Sequence, residues 1–237
     1  MSDYEGILEV MNGVVFYSNT GQSRAVAEFL SQQLAFPLTD LEENSSLRYE
    51  NLVLVFPVHC QNIPDPVKAF LKAVSAENLT VIATYGKMCC GNVLHEVQRR
   101  YQKNIVAAAY IPTRHAYLDG DAPFSDYEKL MPLMEKIQNP SAIHLPRRYK
   151  NPLANFFPEW RSRVGLRIIK TKNCNGCNLC AQRCPHRGIQ AGDVNRRCIR
   201  CMRCVTSCPN RGLEAKMGLF LRLYLQKGKT DKLIIYR

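Results

Sequence analysis

CNGCNLCAQRCP, residues 174–185, and CIRCMRCVTSCP, residues 198–209, follow one pattern, C-x2-C-x2-C-x3-C-P. Each cysteine of the first stretch recurs 24 residues later in the second. The similarity continues past the two prolines, because Arg-Gly-Ile-x-Ala at 187–191 matches Arg-Gly-Leu-x-Ala at 211–215. Self-similarity at a fixed period indicates an internal duplication of one small unit.

The spacing of these cysteines is typical of iron–sulfur ligation. Three thiolates two residues apart can surround one face of a cuboidal cluster, and the cysteine before proline ligates the other cluster in two-cluster proteins. Structural zinc is the alternative, but it favours separated C-x2-C pairs and tetrahedral closure. The sequence therefore predicts two [4Fe–4S] clusters. The predicted ligands are Cys174, Cys177, Cys180 and Cys208 for one cluster, and Cys198, Cys201, Cys204 and Cys184 for the other.

Arginine is frequent between and beside these cysteines. A four-cysteine cluster is negatively charged and becomes more so on reduction, so nearby positive charge favours the reduced form. We therefore expect the arginines to raise the cluster potentials. The alternative is that they reach solvent and set only the surface charge. They are Arg183, Arg187, Arg196, Arg197, Arg200, Arg203 and Arg211.

The rest of the composition bears on the cellular compartment. Residues 1–10 are acidic and lack the basic start and apolar centre of a secretion signal. The best candidate for a membrane segment, residues 219–225, is short and is interrupted by Arg222. The sequence therefore predicts a cytoplasmic protein without stable membrane insertion. In a reducing compartment the eleven cysteines are expected to act as ligands or catalysts rather than as structural disulfides. Cys60, Cys89 and Cys90 lie outside the repeat, and we interpret them as small, buried, apolar side chains, with a redox or metal role as the alternative.

Charge divides the chain into two unlike halves. Residues 1–144 hold 11 Lys/Arg and 16 Asp/Glu, a net charge of −5, whereas residues 145–237 hold 21 and 4, a net charge of +17. A basic half can indicate nucleic-acid binding, but no nucleic-acid motif is visible and bound clusters would cancel part of the charge. We therefore expect no nucleic acid, an acidic redox protein as partner, and docking of the basic half on the acidic one.

Residues 1–144 alternate between apolar and amphipathic segments. Apolar runs predict strands at 12–17, 37–41, 52–57, 79–84 and 105–111, and helical periodicity predicts helices at 22–34, 65–74 and 125–137, with another after the fourth strand. This alternation predicts an α/β fold with a parallel sheet and helices on both faces. Ligands of such sheets bind beyond the carboxyl ends of the strands.

Three polar loops follow predicted strands at that edge. The first enters a helix, where backbone amides and hydroxyls favour a phosphate, unless Thr20 or Ser23 simply caps the helix. No P-loop or G-x-G-x-x-G pattern is present, so direct oxidation of a nicotinamide nucleotide is not expected. The first loop is Ser18, Asn19, Thr20, Gly21, Gln22 and Ser23; the second is Pro57, Val58, His59, Cys60, Gln61 and Asn62; the third includes Thr84, Tyr85, Gly86, Lys87, Cys90, Gly91 and Asn92.

In this alternation and these loops, residues 1–144 resemble flavodoxin-like domains. The resemblance implies a doubly wound five-stranded parallel sheet of order 2-1-3-4-5 that binds FMN. The phosphate of FMN would lie in the first loop, and the other two loops would flank the flavin ring, with His59 and Tyr85 as its neighbours. Residues 168–215 resemble bacterial two-cluster ferredoxins, which implies a small α+β domain.

Taken together, the two halves are similar to the flavodoxin–ferredoxin fusion family of anaerobes. That resemblance implies an electron-transfer protein in which two clusters and FMN exchange electrons with a redox partner. The alternative is an FMN-dependent reductase of a small molecule, such as a quinone or an unsaturated metabolite, with His59 or Tyr85 donating a proton. No feature of the sequence indicates an oligomeric state.

Two segments complete the expected organisation. Residues 145–167 are rich in proline and aromatic residues, which predicts an ordered, packed connector between domains at 1–144 and 168–215. Residues 216–237 form a tail that is expected to include an amphipathic helix packed on the body. The expected apolar residues are Tyr149, Phe156, Phe157 and Trp160 in the connector, and Leu219, Phe220, Leu223 and Tyr224 in the tail.

Overall fold

The computed structural model describes residues 11–118, 120–155, 160–226 and 230–237, and for residues 160 and 161 it describes the backbone alone. The strands are β1 (Met11–Phe16), β2 (Leu38–Asp40), β3 (Arg48–Pro57), β4 (Ser75–Tyr85), β5 (Ile105–Pro112), β6 (Leu166–Lys170), β7 (Ile189–Gln190), β8 (Asp193–Val194), β9 (Leu213–Met217) and β10 (Ile234–Tyr236). The helices are α1 (Gln22–Leu34), α2 (Asp65–Ala73), α3 (Val93–Tyr101), α4 (Met131–Gln138), α5 (Trp160–Gly165), α6 (Leu179–Gln182), α7 (Arg203–Thr206) and α8 (Leu219–Gln226).

A six-stranded, mostly parallel sheet forms the centre of the described structure, in the order β10-β5-β4-β3-β1-β2. β1 to β5 pair in parallel, whereas β10 pairs antiparallel with β5. The expected sheet of five strands was therefore one strand short. The missing strand comes from the tail, whose three sheet residues are too few to show a period. The result is a mixed α/β fold that is compatible with a flavodoxin-like domain.

Helices cover both faces of this sheet, and each face has its own apolar core. On one face α2 and α3 contribute Phe70 and Leu94, and on the other α1 and α4 contribute Leu30 and Leu133. Successive residues of β1 and β3 enter opposite cores. Strands that are buried on both faces need continuous apolar runs, which is why the sequence shows no polar alternation there.

The predicted helix at 125–137 is shorter than expected. A 3-10 turn occupies Tyr127–Leu130, and α4 begins only at Met131. Pro132 lies in the first turn of α4. Proline lacks the amide hydrogen that a helix interior needs but is tolerated in the first turn, so it sets the start of α4.

The duplicated cysteine pattern folds as two copies of one local structure. α6 and α7 are both four residues long and start 24 residues apart. The residues before them, Asn178 and Met202, both have left-handed backbone conformations, as do Arg187 and Arg211 after them. β6 pairs with β9 and β7 pairs with β8, giving two small antiparallel sheets. The repeat in the sequence is therefore a repeat in structure.

In the described part of the connector, hydrogen bonds hold the backbone to the N-terminal half. The backbone N–H groups of Arg148 and Asn151 donate to the side chains of Asn92 and Gln61, at 2.7 and 2.9 Å. Tyr149 is 72% exposed, so its expected packing is wrong. The predictions for Phe156, Phe157 and the Trp160 side chain lie outside the described residues.

The tail forms the expected helix but turns a different face to the body. Phe220 is 90% exposed, and Leu219, Leu223 and Tyr224 are also exposed, so the predicted packing of these four residues is wrong. Leu225 is buried instead, and Leu221 lies against Gly165 of α5. The inward face follows the i, i+4 spacing of a helix. Within the described part of the chain, no helix is long and apolar enough to cross a membrane.

Candidate functional site

A cavity of about 800 Å³ lies at the carboxyl ends of the parallel strands. Its size is within the range of cofactor and substrate sites. All three loops predicted from the sequence contribute to it. The predicted residues that line it are Ser18, Asn19, Thr20, Gln22, Ser23, Pro57, Val58, His59, Cys60, Gln61, Asn62, Thr84, Tyr85 and Gly86.

Five predicted residues do not line the cavity, namely Gly21, Lys87, Cys90, Gly91 and Asn92. Lys87 faces the tail, where its carbonyl accepts from the N–H of Thr230 and its ammonium lies 3.6 Å from Asp231. Cys90 is buried in the apolar core, which agrees with a small apolar packing role. Met88 and Cys89 of the same loop line the cavity in their place. The third loop thus turns away after its first half.

The first loop leaves the start of α1 without a side-chain cap. Gly21 is the N-cap residue, and no side chain accepts a hydrogen bond in the capping position. Ser23 Oγ instead lies 2.8 Å from Thr84 Oγ1, and the Gly21 N–H donates to Ser18 Oγ at 3.1 Å. The alternative of an ordinary cap by Thr20 or Ser23 is therefore wrong. Free amides at a helix N-terminus favour an anion such as a phosphate.

The second loop is a tight turn with a strained backbone. His59 N–H donates to Asn62 O at 3.0 Å, and Asn62 N–H donates to His59 O at 2.8 Å. Cys60 and Gln61 between them have φ angles of 47° and 67°. Left-handed conformations at two adjacent residues other than glycine cost free energy. Strain of this kind is often found at functional sites.

His59 is held as a neutral imidazole. Its Nε2 lies 2.9 Å from Asn19 Nδ2, and because the amide donates, Nε2 must accept and the ring proton lies on Nδ1. Burial, and then repulsion from His186, lowers the pKa of His59 to about 4. A neutral imidazole is a weak acid at neutral pH. The geometry therefore does not favour His59 as a proton donor.

Tyr85 has a structural role that the sequence did not reveal. Its hydroxyl donates to the carbonyl of Lys232 at 2.6 Å and accepts from the N–H of the same residue at 3.2 Å. Its ring lies in the core, 6.5 Å from that of Tyr110. Burial raises the pKa of Tyr85 to about 12. The geometry therefore does not favour Tyr85 as a proton donor, because its hydroxyl fixes the tail to the sheet.

The loop after β5 also lines the cavity, and sequence reasoning missed it. Thr113, Arg114, His115, Ala116 and Tyr117 all contribute. The rings of His115 and Tyr117 lie 5.0 Å apart, edge to face. The sequence could have indicated this loop, because it follows the last parallel strand at the same edge of the sheet as the other three loops.

The cavity is also lined by four residues around the start of α2, namely Ile63, Pro64, Asp65 and Lys68. The rest of the lining comes from the C-terminal half. It consists of residues of α5, of α8 and of the second cysteine stretch, together with His186 just after the first stretch: Ser162, Val164, Gly165, His186, Ile199, Arg200, Cys201, Phe220, Leu221, Tyr224 and Leu225. The Tyr117 hydroxyl crosses between the halves and donates to the carbonyl of Arg200 at 2.9 Å. The cavity therefore lies between the two halves of the chain.

Arg203 joins the halves beside this cavity. Its guanidinium pairs with Glu42 and donates to Ser18 O at 3.0 Å and to Asn19 Oδ1 at 3.2 Å. It also lies 5.3 Å from the centre of the Tyr17 ring. Arg200 is likewise partly buried and donates from Nε to the Leu166 carbonyl. For these two arginines, the alternative that they only reach solvent is wrong.

Two small cavities in the C-terminal half are each lined by four cysteines. The lining cysteines are Cys174, Cys177, Cys180 and Cys208 in the first, and Cys184, Cys198, Cys201 and Cys204 in the second. These are the two predicted sets, each with a fourth cysteine from the other stretch. Among the described residues, no three His, Cys, Asp or Glu side chains lie close enough to hold a single metal ion.

Cys184 and Cys208 are the cysteines that line the cavity of the opposite stretch, and each accepts a hydrogen bond from a glycine. Gly188 N–H donates to Cys184 Sγ and Gly212 N–H donates to Cys208 Sγ, each at 3.2 Å. A Cβ on Gly188 would lie 2.7 Å from the Cα of Cys198, and one on Gly212 would lie 2.8 Å from the Cα of Cys174. Only glycine allows this approach. Hydrogen bonds to ligand sulfurs are a means by which proteins tune iron–sulfur sites.

Comparisons with known proteins find a structural likeness but no matching family. No protein-family model matches the chain, and no curated protein matches it. Among solved structures, the chain is similar to a candidate flavoprotein from Bacteroides uniformis ATCC 8492, with a TM-score of 0.39 and 13% identity. That likeness covers 45% of this chain and 92% of the other. At this level it carries no argument about function.

Proposed function

We propose that this chain is an electron-transfer protein that holds two [4Fe–4S] clusters and FMN and exchanges electrons with a redox partner. The observation that carries the proposal is a shared residue. Cys201 lines both the 800 Å³ cavity and the second cysteine cavity. A flavin in the larger cavity and a cluster in the smaller one would therefore be direct neighbours. When bound, the clusters supply single electrons and FMN accepts one or two.

The larger cavity offers groups that suit FMN. The uncapped start of α1 and the hydroxyls of Ser18, Thr20 and Ser23 can hold a phosphate. The guanidinium of Arg203 lies at the edge of this loop and orders it through a hydrogen bond to the Ser18 carbonyl. The loops at 57–62 and 84–86 and Tyr117 can enclose the flavin ring. Leu221 and Leu225 of α8 exclude water from the far side.

The two cysteine cavities offer groups that suit the clusters. Each supplies four thiols, and each set receives an N–H···S hydrogen bond from a glycine of the repeat. Burial raises the pKa of Cys201 to about 11 and that of Cys204 to about 12. Buried thiols become ligands only when a metal replaces their protons, so cluster binding would release protons and order this unit.

A concentration test distinguishes this function from a loose association of two modules. In the loaded protein, a flash of light with a deazaflavin donor would reduce one centre, and absorbance would follow the electron between flavin and clusters. We expect a first-order rate that is independent of protein concentration, since both sites share Cys201. A rate proportional to protein concentration would mean that electrons pass only between molecules, and the proposal would fail.

A reductase of a small molecule is the second candidate, and the cavity favours it in one respect. The mouth carries apolar side chains of α8 and α5 that have no partner in the described chain, with Phe220 90% exposed and Val164 80% exposed. A flat apolar substrate could enter there and lie against the flavin. His59 is neutral, and the hydroxyls of Tyr85 and Tyr117 donate to backbone carbonyls, so Arg114 and His115 are the next polar groups of the lining to examine. Turnover of menadione with a low-potential donor would test this candidate.

A further inference from the structure

We call the 800 Å³ cavity, in which the flavin would bind, the flavin cavity. The two cysteine cavities differ in their distance from it. The second shares Cys201, Ile199 and His186 with the flavin cavity. The first has no lining residue in common with it. The first cavity is therefore the distal one. In a chain of three centres, an electron that reaches the distal one must arrive from, or leave to, another molecule.

The distal cavity is also the one that reaches the surface. The structure describes all eleven cysteines, and among them Cys177, which lines the distal cavity, is the exposed one. Its neighbours carry no charge and are exposed as well: Asn175, Gly176, Pro209 and Asn210. We call these five residues the distal face. Electron transfer between proteins requires two centres to approach closely, and this face brings a cluster ligand to the surface.

Basic residues surround the distal face. Lys170, Lys172 and Arg211 are all exposed. Thr171 keeps the neighbouring Lys172 close to Arg211. Its N–H donates to Gly212 O at 3.0 Å, and its hydroxyl donates to Arg211 O at 3.3 Å. The stem of Lys170 lies against Gly192, which lines the distal cavity. Two acidic residues are close by: Asp193 lies 3.9 Å from the Lys170 ammonium, and the exposed Glu214 lies opposite Ile169 in the β6–β9 pair.

We propose that the distal face, with its rim of Lys170, Lys172 and Arg211, docks an acidic one-electron redox protein. The inference rests on the proposed function and names its partner surface. An uncharged centre with a charged rim is typical of small, transient redox interfaces, in which charge steers the encounter. With a cluster bound behind Cys177, a reduced partner docked here would lose one electron and the cluster would gain it, with no proton transferred and no bond formed or broken. The reverse step delivers an electron to an oxidised partner.

Binding of an acidic plant-type [2Fe–2S] ferredoxin tests this surface. The probe is titrated in its oxidised form into the loaded full-length protein by anaerobic calorimetry at low ionic strength. Lys172→Glu/Arg211→Glu reverses two charges of the rim, and we expect Kd to rise about tenfold or more. Lys72→Glu/Arg99→Glu makes the same charge change on exposed residues of the other half. We expect this control to change Kd by less than about twofold.

The outcomes separate this inference from the function on which it rests. If the rim variant binds the ferredoxin as tightly as the natural sequence, or if the control weakens binding equally, the docking inference is wrong. It is also wrong if a DNA duplex binds the rim and the ferredoxin does not. Iron content and reduction by dithionite are measured on the same samples. Loaded, reducible protein with unchanged binding overturns the docking surface alone, whereas protein without clusters overturns both proposals.

Discussion

Arg203 is a residue of the second cysteine stretch that contacts the loop of Ser18 and Asn19. It lies between Cys201 and Cys204, both of which line the second cysteine cavity. Its guanidinium reaches Glu42, Ser18 and Asn19 of the other half. A planar guanidinium can make several directed hydrogen bonds at once, which lysine cannot reproduce. Its position therefore couples the order of the cluster unit to the order of the loop that would hold a phosphate.

We predict that Arg203→Ala weakens FMN binding. Loss of several charge-assisted hydrogen bonds at a partly buried site costs about 1.5–3 kcal/mol, or roughly a tenfold to hundredfold rise in Kd. Arg203→Lys should bind FMN with an affinity between those of the natural sequence and Arg203→Ala. Lysine keeps the positive charge but cannot make the several directed hydrogen bonds of the guanidinium. Quenching of flavin fluorescence measures the affinity. Arg196→Ala is the control, since Arg196 is exposed in the same unit. Equal affinities for all four proteins would contradict the role of Arg203.

We also predict that His59 makes stability dependent on pH. The pKa of His59 is about 4 in the folded chain and 6.5 in its ordinary state, so the unfolded chain binds a proton first as the pH falls. The stability that the neutral ring contributes is therefore complete above about pH 6.5 and is lost as the pH falls toward 4. Thermal unfolding between pH 4 and 7.5 measures it. His59→Gln should remove part of the slope, and an unchanged slope would show that His59 does not titrate this way.

At the scale of elements, the sequence predicted what local patterns determine. β1, β3, β4 and β5 were foreseeable because each contains an apolar run that is buried on both faces, and the three loops were foreseeable because they follow strands at one edge. β10 was not foreseeable, since its three residues depend on Tyr85 and Lys87 holding the tail. The lining from α5 and α8 was likewise hidden, because it depends on how the halves pack and leaves no local signature.

The paired glycines give a prediction at this scale. Gly212→Ala would place a methyl group 2.8 Å from the Cα of Cys174, so the turn after the second cysteine stretch must shift. We expect the variant to lose most of its iron. Gly218→Ala is the matched control, because the nearest atom to its Cβ would be 3.6 Å away. The measurement is the iron content per chain of both variants after anaerobic purification. Full iron content in Gly212→Ala would show that the close approach is not needed.

At the scale of the whole molecule, the larger cavity depends on both halves. The acidic half supplies the loops, and the basic half supplies Cys201, Ile199 and Arg200 as the opposite side. The opposite net charges of −5 and +17 favour this arrangement at long range, and the ion pair of Arg203 with Glu42 fixes it locally. A site between two units is expected to lose affinity when either unit is disordered.

We therefore predict that removal of iron weakens flavin binding. Chelation under mild conditions should disorder the second cysteine stretch and with it one side of the cavity, so that Kd for FMN rises about tenfold or more. The affinity is measured by fluorescence before and after chelation, and again after the clusters are rebuilt. Affinity that does not change on chelation would show that flavin binding does not depend on the clusters.

Iron, sulfide and flavin per chain, measured after anaerobic purification, bear on all of these proposals at once. The eight cysteines around two cavities and the cavity beside Cys201 predict about eight iron, eight sulfide and one FMN. Eight iron without flavin would contradict the proposed role of the larger cavity and leave a two-cluster protein with a docking domain. Flavin without iron, or a single zinc per cysteine set, would contradict the cluster assignment on which the electron-transfer function rests.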